Sequence, residues 1–539
     1  MWDMESILDR KDKLSVKKAK LLLSSPIKPF GPEFGDGFSC QTSGSHQLTW
    51  AQDIFRVEDQ MWHWGLDVIA ANITTPTTVL HYPTLDRFRH ELKNDYDYVG
   101  ISFNLSTLHK IKDMVKVVRE LSPKSKVILG GYGAVLSNEQ LDGLADYICR
   151  EEGVAFMRRI LGDKEKPFIN PDFIIERYIF SLKLSRIGIL FNAVGCPNGC
   201  DFCCTSHFYK RKKVYFNTNP KKLLEQILML NDKKPPLESV IIFDDDFLVD
   251  ESRARQFLEE ARSTDKVIDI MIFASVRSIS RFSAREIAQM GVTKIWIGFE
   301  GLEAGYEKQQ GKSFKDAVEE LRQYGIAVTA SMMIGFDYQN EKIIFREFSE
   351  LTSCNPSSTQ IILITPCIGT PLWDKLEMSS RIRQETKEDY RFHDGFRLLF
   401  KHPIIPPEKL EQIQNELYRR EYGILGPSLF RILYTYFLGY KNLRNDSDPT
   451  LRKRAAYFEH KLRKAYVLYK IGIYFAPNNQ VREQLKVEYR CICECLGQPT
   501  FFATLLTVIL LPFIFWTKLR FHYDIKSQPR SMRREYNTE

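Results

Sequence analysis

Residues Asn192–Ser206 read NAVGCPNGCDFCCTS and hold four of the chain's eleven cysteines within nine positions. Cys196, Cys200 and Cys203 have the spacing C-x3-C-x2-C, and an apolar run, Ile187–Phe191, leads into them. A strand ending in clustered thiols suits a parallel α/β sheet, which keeps its chemistry in the loops after its strands. A structural zinc site takes four ligands in paired short spacings. A fourth here would be Cys204 or His207, and adjacent residues chelate one ion poorly. Three thiolates on one loop instead suit a [4Fe–4S] cluster with one iron left open, zinc or inert cysteines being the alternative.

The pattern spreads outward from that loop. Strand-like runs at Ile187–Ala193, Ser239–Asp244, Asp269–Ser275, Thr293–Phe299, Ile326–Ile334 and Thr359–Thr365 alternate with helical stretches such as Pro220–Asn231, Asp250–Arg262 and Phe314–Tyr324. Six βα units within residues 186–380 predict a partial (β/α)6 TIM-type barrel. Residues 15–165 predict a Rossmann-like α/β unit, with strands at Ala19–Ile27, Tyr96–Phe103, Lys126–Ala134 and Asp146–Gly153. Its helix, Leu108–Leu121, sets Ile111, Met114, Val115 and Val118 on one face. Residues 166–185 are expected to be a linker, 381–490 a helical, basic and aromatic region, and 491–539 a membrane-associating segment with a basic tail.

Bulk properties bound the reading. With 44% hydrophobic and 27% charged residues the chain is globular, and 539 residues exceed one compact core. Eleven scattered cysteines are no disulfide framework and point to a reducing cytosol. Asp3, Glu5, Asp9 and Arg10 stand where a secretory signal would need apolar residues. From Lys401 to Glu539 there are 23 Lys and Arg against 13 Asp and Glu, so the formal +8 belongs to the C-terminal part. With no stacking platform or recognition motif beside these charges, a membrane surface is expected and nucleic acid is not.

C-x3-C-x-Φ-C, with Phe202 as the aromatic, resembles the radical S-adenosylmethionine (SAM) superfamily. FDDDF (Phe243–Phe247) is similar to the second-strand element that holds the methionine amino group. GFEG (Gly298–Gly301) is similar to the fourth-strand G-x-E, and MMIGF (Met332–Phe336) to the fifth-strand glycine element. ITPCIGTPL (Ile364–Leu372) is similar to the sixth-strand P-x-x-G-T-P, with Cys367 where an aliphatic residue is usual. The resemblance covers about residues 186–377. It implies that Cys196, Cys200 and Cys203 ligate the cluster, that Phe202 packs on adenine, and that Glu300 and Gly335 belong to the SAM site. Asp244, Asp245 or Asp246 would accept from the SAM amino group, unless one of them caps the helix near Asp250. A one-electron reductant of flavodoxin or ferredoxin type is implied as partner.

VGISFNLST (Val99–Thr107), VILGGYGA (Val127–Ala134) and REEGVAF (Arg150–Phe156) resemble, in order and spacing, the cobalamin-binding domain of one subgroup of that family, the class B methyltransferase type. Gly130 and Gly131 would let the backbone approach a nucleotide tail, and Ser102 and Ser106 would reach the corrin rim. An ordinary sheet-end turn is the alternative for the glycines. The D-x-H-x-x-G loop that carries a cobalt-ligating histidine is absent after Ile27. Cobalamin would therefore bind without a protein histidine, or the cofactor has been lost; His81 and His109 read as core or surface residues.

Cys495–Thr517 is 23 residues long without a charge, enough to span a bilayer. A single span would export Lys518, Arg520, Lys526, Arg530, Arg533 and Arg534, against the positive-inside rule, and Pro512 interrupts the helix. A segment that dips into the cytoplasmic leaflet, anchored by Trp516 and joined by the aromatic stretch Phe430–Tyr440, is expected; a buried helix is the alternative. CICEC (Cys491–Cys495) reads as small apolar residues, since alternate positions on one short helix cannot bring three thiolates together. The expected protein is cytoplasmic, peripheral or monotopic on the inner membrane face. It is expected to be a cobalamin-dependent radical SAM methyltransferase acting on an unactivated carbon of a hydrophobic molecule or lipid, similar to hopanoid-methylating enzymes. Radical ring closure or rearrangement of a tetrapyrrole or lipid, and a non-catalytic membrane-tethered sensor, are the alternatives.

Overall fold

The computed structural model describes residues 19–31, 34, 44–393, 395–523 and 528–537. The charged start of the chain, the first residues of the unit placed at 15–165, and Lys526 lie outside them. The strands among the described residues are, in chain order, β1 (Leu21–Ser24), β2 (Glu58–Asp59), β3 (Thr77–His81), β4 (Tyr98–Ser102), β5 (Lys126–Gly130), β6 (Tyr147–Ile148), β7 (Phe173–Ile179), β8 (Leu182–Phe191), β9 (Ala193–Val194), β10 (Val214–Tyr215), β11 (Ser239–Phe243), β12 (Ile270–Ala274), β13 (Val292–Glu300), β14 (Ala327–Ile334), β15 (Ser358–Leu363) and β16 (Met532–Tyr536). They build two large sheets and one small β9–β10 pair.

The first sheet has the order β16-β3-β1-β4-β5-β6 and is parallel except for β16. Its five parallel strands have the doubly wound order whose switch point lies between β1 and β4. Both faces are covered, so every residue of β1 and β3 is buried. Helix α1 (Leu108–Leu121) packs Ile111, Met114, Val115 and Val118 into that core, as their spacing predicts. Strand β3 is not among those the pattern predicts, because Thr77, Thr78 and His81 dilute its apolar signal. Tertiary burial between β1 and β16 makes it a strand.

The second sheet curls into a half-barrel with the order β15-β14-β13-β12-β11-β8-β7-β2. From β8 to β15 its six neighbouring strands run parallel, the architecture expected for the barrel. Helices α2 (Pro220–Asn231), α3 (Glu251–Ser263) and α4 (Phe314–Gln323) share one apolar core with the strands, while α5 (Glu341–Ser353) packs into a second with β14 and β15. Asn219, Asp250 and Ser313 cap α2, α3 and α4, so each helix starts where a side-chain oxygen can take its free N–H groups. Residues 166–185 do not form a linker. They carry β7 and the start of β8, paired antiparallel from Phe173↔Ile189 to Ile179↔Leu182. Phe180 and Ser181 both have positive φ, the backbone of a two-residue hairpin turn.

The C-terminal region is helical: α6 (Pro407–Leu425), α7 (Ser428–Leu443), α8 (Pro449–Ala465), α9 (Asn479–Leu496) and α10 (Phe501–His522). The aromatic stretch expected at a membrane is core instead, with Phe430, Tyr436 and Phe437 of α7 buried against Phe458 and Tyr469. The basic stretch is partly interior as well. Lys461 of α8 pairs with Asp269 at the floor of the barrel and donates to the Glu238 carbonyl at 2.9 Å, beside Lys294–Glu238 at 2.9 Å. Two expectations for the C-terminus are corrected. Helix α10 runs unbroken through the exposed Pro512, so the segment does not dip and return. It is not a buried helix either. The tail beyond it is strand β16, whose Arg533 and Arg534 pair with Glu91 at 2.9 Å and Asp67 at 3.5 Å.

Candidate active site at the barrel mouth

The cysteine loop leaves β8 and is folded tightly on itself. Gly195 has φ +84°, and a Cβ there would lie 2.1 Å from the Lys212 carbonyl. Ser206 Oγ donates to the Cys196 carbonyl at 2.7 Å and accepts from Gly199 N at 3.1 Å. Cys203 N donates to the Cys200 carbonyl at 3.0 Å. These bonds bring Cys196, Cys200 and Cys203 to one end of the barrel, the first two only 8% exposed. Burial pushes their thiols up, to about 11 at Cys196 and about 12 at Cys203, with neighbouring thiolates adding to the effect. A cationic cluster would reverse that shift, because thiolate is the ligating form. No group of three His, Cys, Asp or Glu among the described residues is set to hold a single metal ion. Cys204 turns elsewhere: its sulfur hydrogen-bonds to Cys367 of the loop after β15, an interaction that lowers Cys204 and raises Cys367.

The three aspartates after β11 have three different surroundings. Asp244 is buried, 2.5 Å from Lys213 Nζ, and accepts from Asn192 Nδ2 at 2.7 Å. Asp246 is buried and accepts from Ser275 Oγ at 2.7 Å and Ser278 Oγ at 2.8 Å, which ties the loop to the next strand end. Asp245 faces the cysteine loop through the Gly195 N–H; desolvation, followed by the charges of Asp244 and Asp246, pushes its carboxyl up to about 6. None of the three caps the following helix, since Asp250 fills that role by accepting from Arg253 N at 3.1 Å.

Glu300 sits at a register shift between β13 and β14 with φ +60°, a backbone that non-glycine residues adopt uncommonly. Its carboxylate pairs with Lys308. Burial works against the Lys308 ammonium, but Glu300 and Cys200 outweigh it and hold the charge in place. Lys308 Nζ lies 5.3 Å from the Phe202 ring centroid, and Phe202 meets Tyr306 edge to face at 5.3 Å. Gly335 has φ +102° and gives its N–H to Gln339 at 2.7 Å; a Cβ there would meet Ile364 and Leu398, which places it in the supporting core. Lys213 and Lys308 are absent from the sequence reading. A basic run, Lys210–Lys213, directly after the cysteine loop was the available signal for the first. For Lys308 there was none.

A cavity of about 190 Å³, open on one side, separates the C-terminal edge of the first sheet from the residues that flank the cysteine loop. Leu23, Ile101 and Ile128 line it from the sheet, and Phe208, Tyr209 and Phe216 from the barrel side. Ser102, Gly130 and Gly131 are all at its wall. Gly131 has φ +86°, and a Cβ would come within 2.6 Å of the Phe103 carbonyl, so only glycine fits this turn. Gly65 also lines the cavity, where an added Cβ would meet nothing within 4 Å. Tyr132 carries the turn to the cysteine loop: its hydroxyl is 2.9 Å from Thr205 Oγ1 and its ring 5.4 Å from Phe208. Ser106 is buried at 4% exposure and does not join Ser102 at the wall. His81 is fully buried, 2.6 Å from Asp67.

The chain is 24% identical to the anaerobic magnesium-protoporphyrin IX monomethyl ester cyclase of Cereibacter sphaeroides over 387 residues, 66% of this chain and 60% of that protein. It is 24% identical to the bacteriochlorophyllide d C-12(1)-methyltransferase of Chlorobaculum tepidum over 251 residues, 44% of this chain and 53% of that protein. The chain thus spans less than two thirds of the length of either relative. Among solved structures it is similar to TsrM, a radical SAM methyltransferase from Kitasatospora setae with cobalamin and a [4Fe–4S] cluster bound. The TM-score is 0.48 at 12% identity, covering 83% of this chain and 99% of that one. Residues 193–346 match the radical SAM superfamily. The segment that begins with the cysteine loop and takes in the aspartates and Glu300 is a radical SAM domain.

Proposed function

We propose that the protein is a cobalamin-dependent radical SAM methyltransferase acting on an unactivated carbon of a hydrophobic substrate, with a membrane lipid of hopanoid or isoprenoid type as the leading class. The observation that carries this reading is the cavity between the Gly130–Gly131 edge and Phe208, Tyr209 and Phe216, which follow the cysteine loop; it lies where a doubly wound sheet binds its ligand. The residues fit the cofactors: two buried thiols and a half-buried third on one loop, and an apolar cradle that a Cβ at Gly65 would enter. When bound, the cluster and SAM supply hydrogen-atom abstraction and cobalamin supplies the methyl group.

The chain's own residues position and exclude. Cys196, Cys200 and Cys203 hold the iron. Lys213 and Asn192 fix Asp244, and this leaves Asp245 to accept from the SAM amino group. Lys308, poised between Glu300 and Phe202, offers the charge that a SAM carboxylate needs, and Phe202 offers a face to adenine. No histidine among the described residues lines the cavity, so its wall would offer bound cobalamin no imidazole. A one-electron reductant of flavodoxin or ferredoxin type completes the system.

The cyclase and bacteriochlorophyllide relatives favour a second reading, ring closure or methylation of a tetrapyrrole. The sensor alternative is disfavoured, because a sensor has no use for a complete set of SAM-holding groups. The deciding experiment incubates the anaerobically reconstituted protein with methyl-deuterated SAM and either a lipid extract or a magnesium porphyrin ester. Transfer of a deuterated methyl group to a lipid supports the leading reading. Loss of substrate hydrogens without label, or label found only on the porphyrin, replaces it with the second.

A further inference from the structure

We propose that α10 is an in-plane membrane anchor. It lies along the surface of an anionic bilayer with its outer half in the acyl boundary, and it does not cross. The proposal concerns a surface and stands whatever the substrate is. Helix α10 is 22 residues long and its most apolar 18-residue window has a mean hydropathy of 1.9, yet only 22% of that window is buried. Thr507, Leu510, Ile514 and Thr517 are its buried residues, and at 100° per residue they fall on an arc of about 80°. The opposite face is apolar from end to end. Phe501 is 77% exposed, Val508 56%, Ile509 55%, Trp516 52% and Leu519 50%. No charged residue occurs between Cys495 and Thr517. Isolated exposed hydrophobic residues need no explanation, but a continuous apolar half-cylinder does.

Attachment to the body decides the orientation. Thr517 Oγ1 is 2.9 Å from Ser181 Oγ, Arg520 pairs with Glu58, and Lys470 donates to Thr504 at 3.1 Å. The chain then returns to the first sheet as β16. A helix fastened along its whole length to the body cannot stand through a bilayer, and its two ends emerge on the same side. Charge placement agrees. Lys518 is exposed and lies on the flank of the helix, clear of its outer face, where its side chain reaches headgroups. Exposed Tyr474 and Tyr523 suit the interface in the same way. A second copy of the chain is the weaker occupant. An apolar stripe of about 100° suffices to seat a helix on a neighbour, whereas the apolar arc here spans about half of the circumference.

The test uses the full-length protein and vesicles of phosphatidylcholine with or without phosphatidylglycerol. Co-sedimentation is expected with the anionic vesicles and is expected to fall at least about tenfold in Val508→Asp/Trp516→Asp. The melting temperature should be unchanged, because both side chains face outward. Should that variant fail to fold, bromolipid quenching of wild-type fluorescence, compared with Trp516→Phe, reads the same contact. Quenching that disappears with the indole supports the proposal. Absence of vesicle binding by the wild type overturns it. So does a dimer, dissolved by the double substitution, in a protein that ignores vesicles.

Discussion

At the scale of single residues, Cys204 shows how a neighbour can be excluded from a site it almost joins. Its sulfur is engaged by Cys367, whereas Cys196, Cys200 and Cys203 act on one another. Replacing any of those three by Ala is expected to remove the iron bound after anaerobic reconstitution, and Cys204→Ala to retain it. Iron content and cluster absorbance check this, and loss confined to Cys204→Ala reverses the assignment. Asp245 carries a second expectation. Its carboxyl is raised to about 6 from 3.8, so the folded state holds the proton more tightly than the unfolded one, and stability falls as pH rises through that window. Asp245→Asn should therefore stabilise the cofactor-free protein at neutral pH, by about 1 kcal/mol after solvent screening, while weakening SAM binding. Thermal melting and equilibrium dialysis separate the two effects. The cysteine spacing and the acidic triplet were legible in the sequence because they are local. Lys213 and Lys308 were not, because nothing in a lysine's own neighbourhood states which carboxylate it will meet.

At the scale of elements, the network under the barrel joins α8 to the starts of β11, β12 and β13. Burial pushes the Asp269 carboxyl up, but Lys461 and Lys294 outweigh it, and the group ends below its ordinary value; Glu238 is held down in the same way. Their contribution is present above the unfolded values of 3.8 and 4.5 and is lost as pH falls below them. Lys461→Ala leaves a buried carboxylate without its cation and is expected to cost about 3–5 kcal/mol. It should also flatten the loss of stability on acidification, as chemical denaturation at neutral and acid pH will show. An equal loss at both pH values would mean that packing, not charge, is what Lys461 supplies. The barrel strands were legible because periodicity and strand-end residues agree. The hairpin of β7 and β8 was missed because Phe180 and Ser181 carry none of the glycine or asparagine that marks such turns. The membrane role expected for Phe430–Tyr440 failed because an aromatic run looks the same whether lipid or protein covers it.

At the scale of the whole molecule, the first sheet depends on both ends of the chain. Arg533 binds Glu91, Tyr536 OH donates to Asp67 at 2.9 Å, and Asn537 donates to the Ala70 and Ile73 carbonyls. Deleting residues 528–539 is expected to leave the cysteine loop and its iron intact and to weaken cobalamin retention. Limited proteolysis should then cut near β3 first. Cleavage confined to the barrel would contradict that coupling. None of this was legible in the sequence, since MRREY has the composition of a solvated tail and becomes a strand only because β3 presents an open edge.

That closing strand also sets a schedule for biosynthesis. Tyr536 stands 469 positions after its partner Asp67, and at the usual pace of translation the ribosome takes roughly 25–90 s to bridge that interval. Throughout it, the nascent sheet presents the unpaired backbone of Thr77–His81 to every other chain in its vicinity, the situation in which edge-to-edge association begins. Co-translational shielding of that edge is thus a requirement of the fold, and a purification tag fused directly after Tyr536 competes with the same contact.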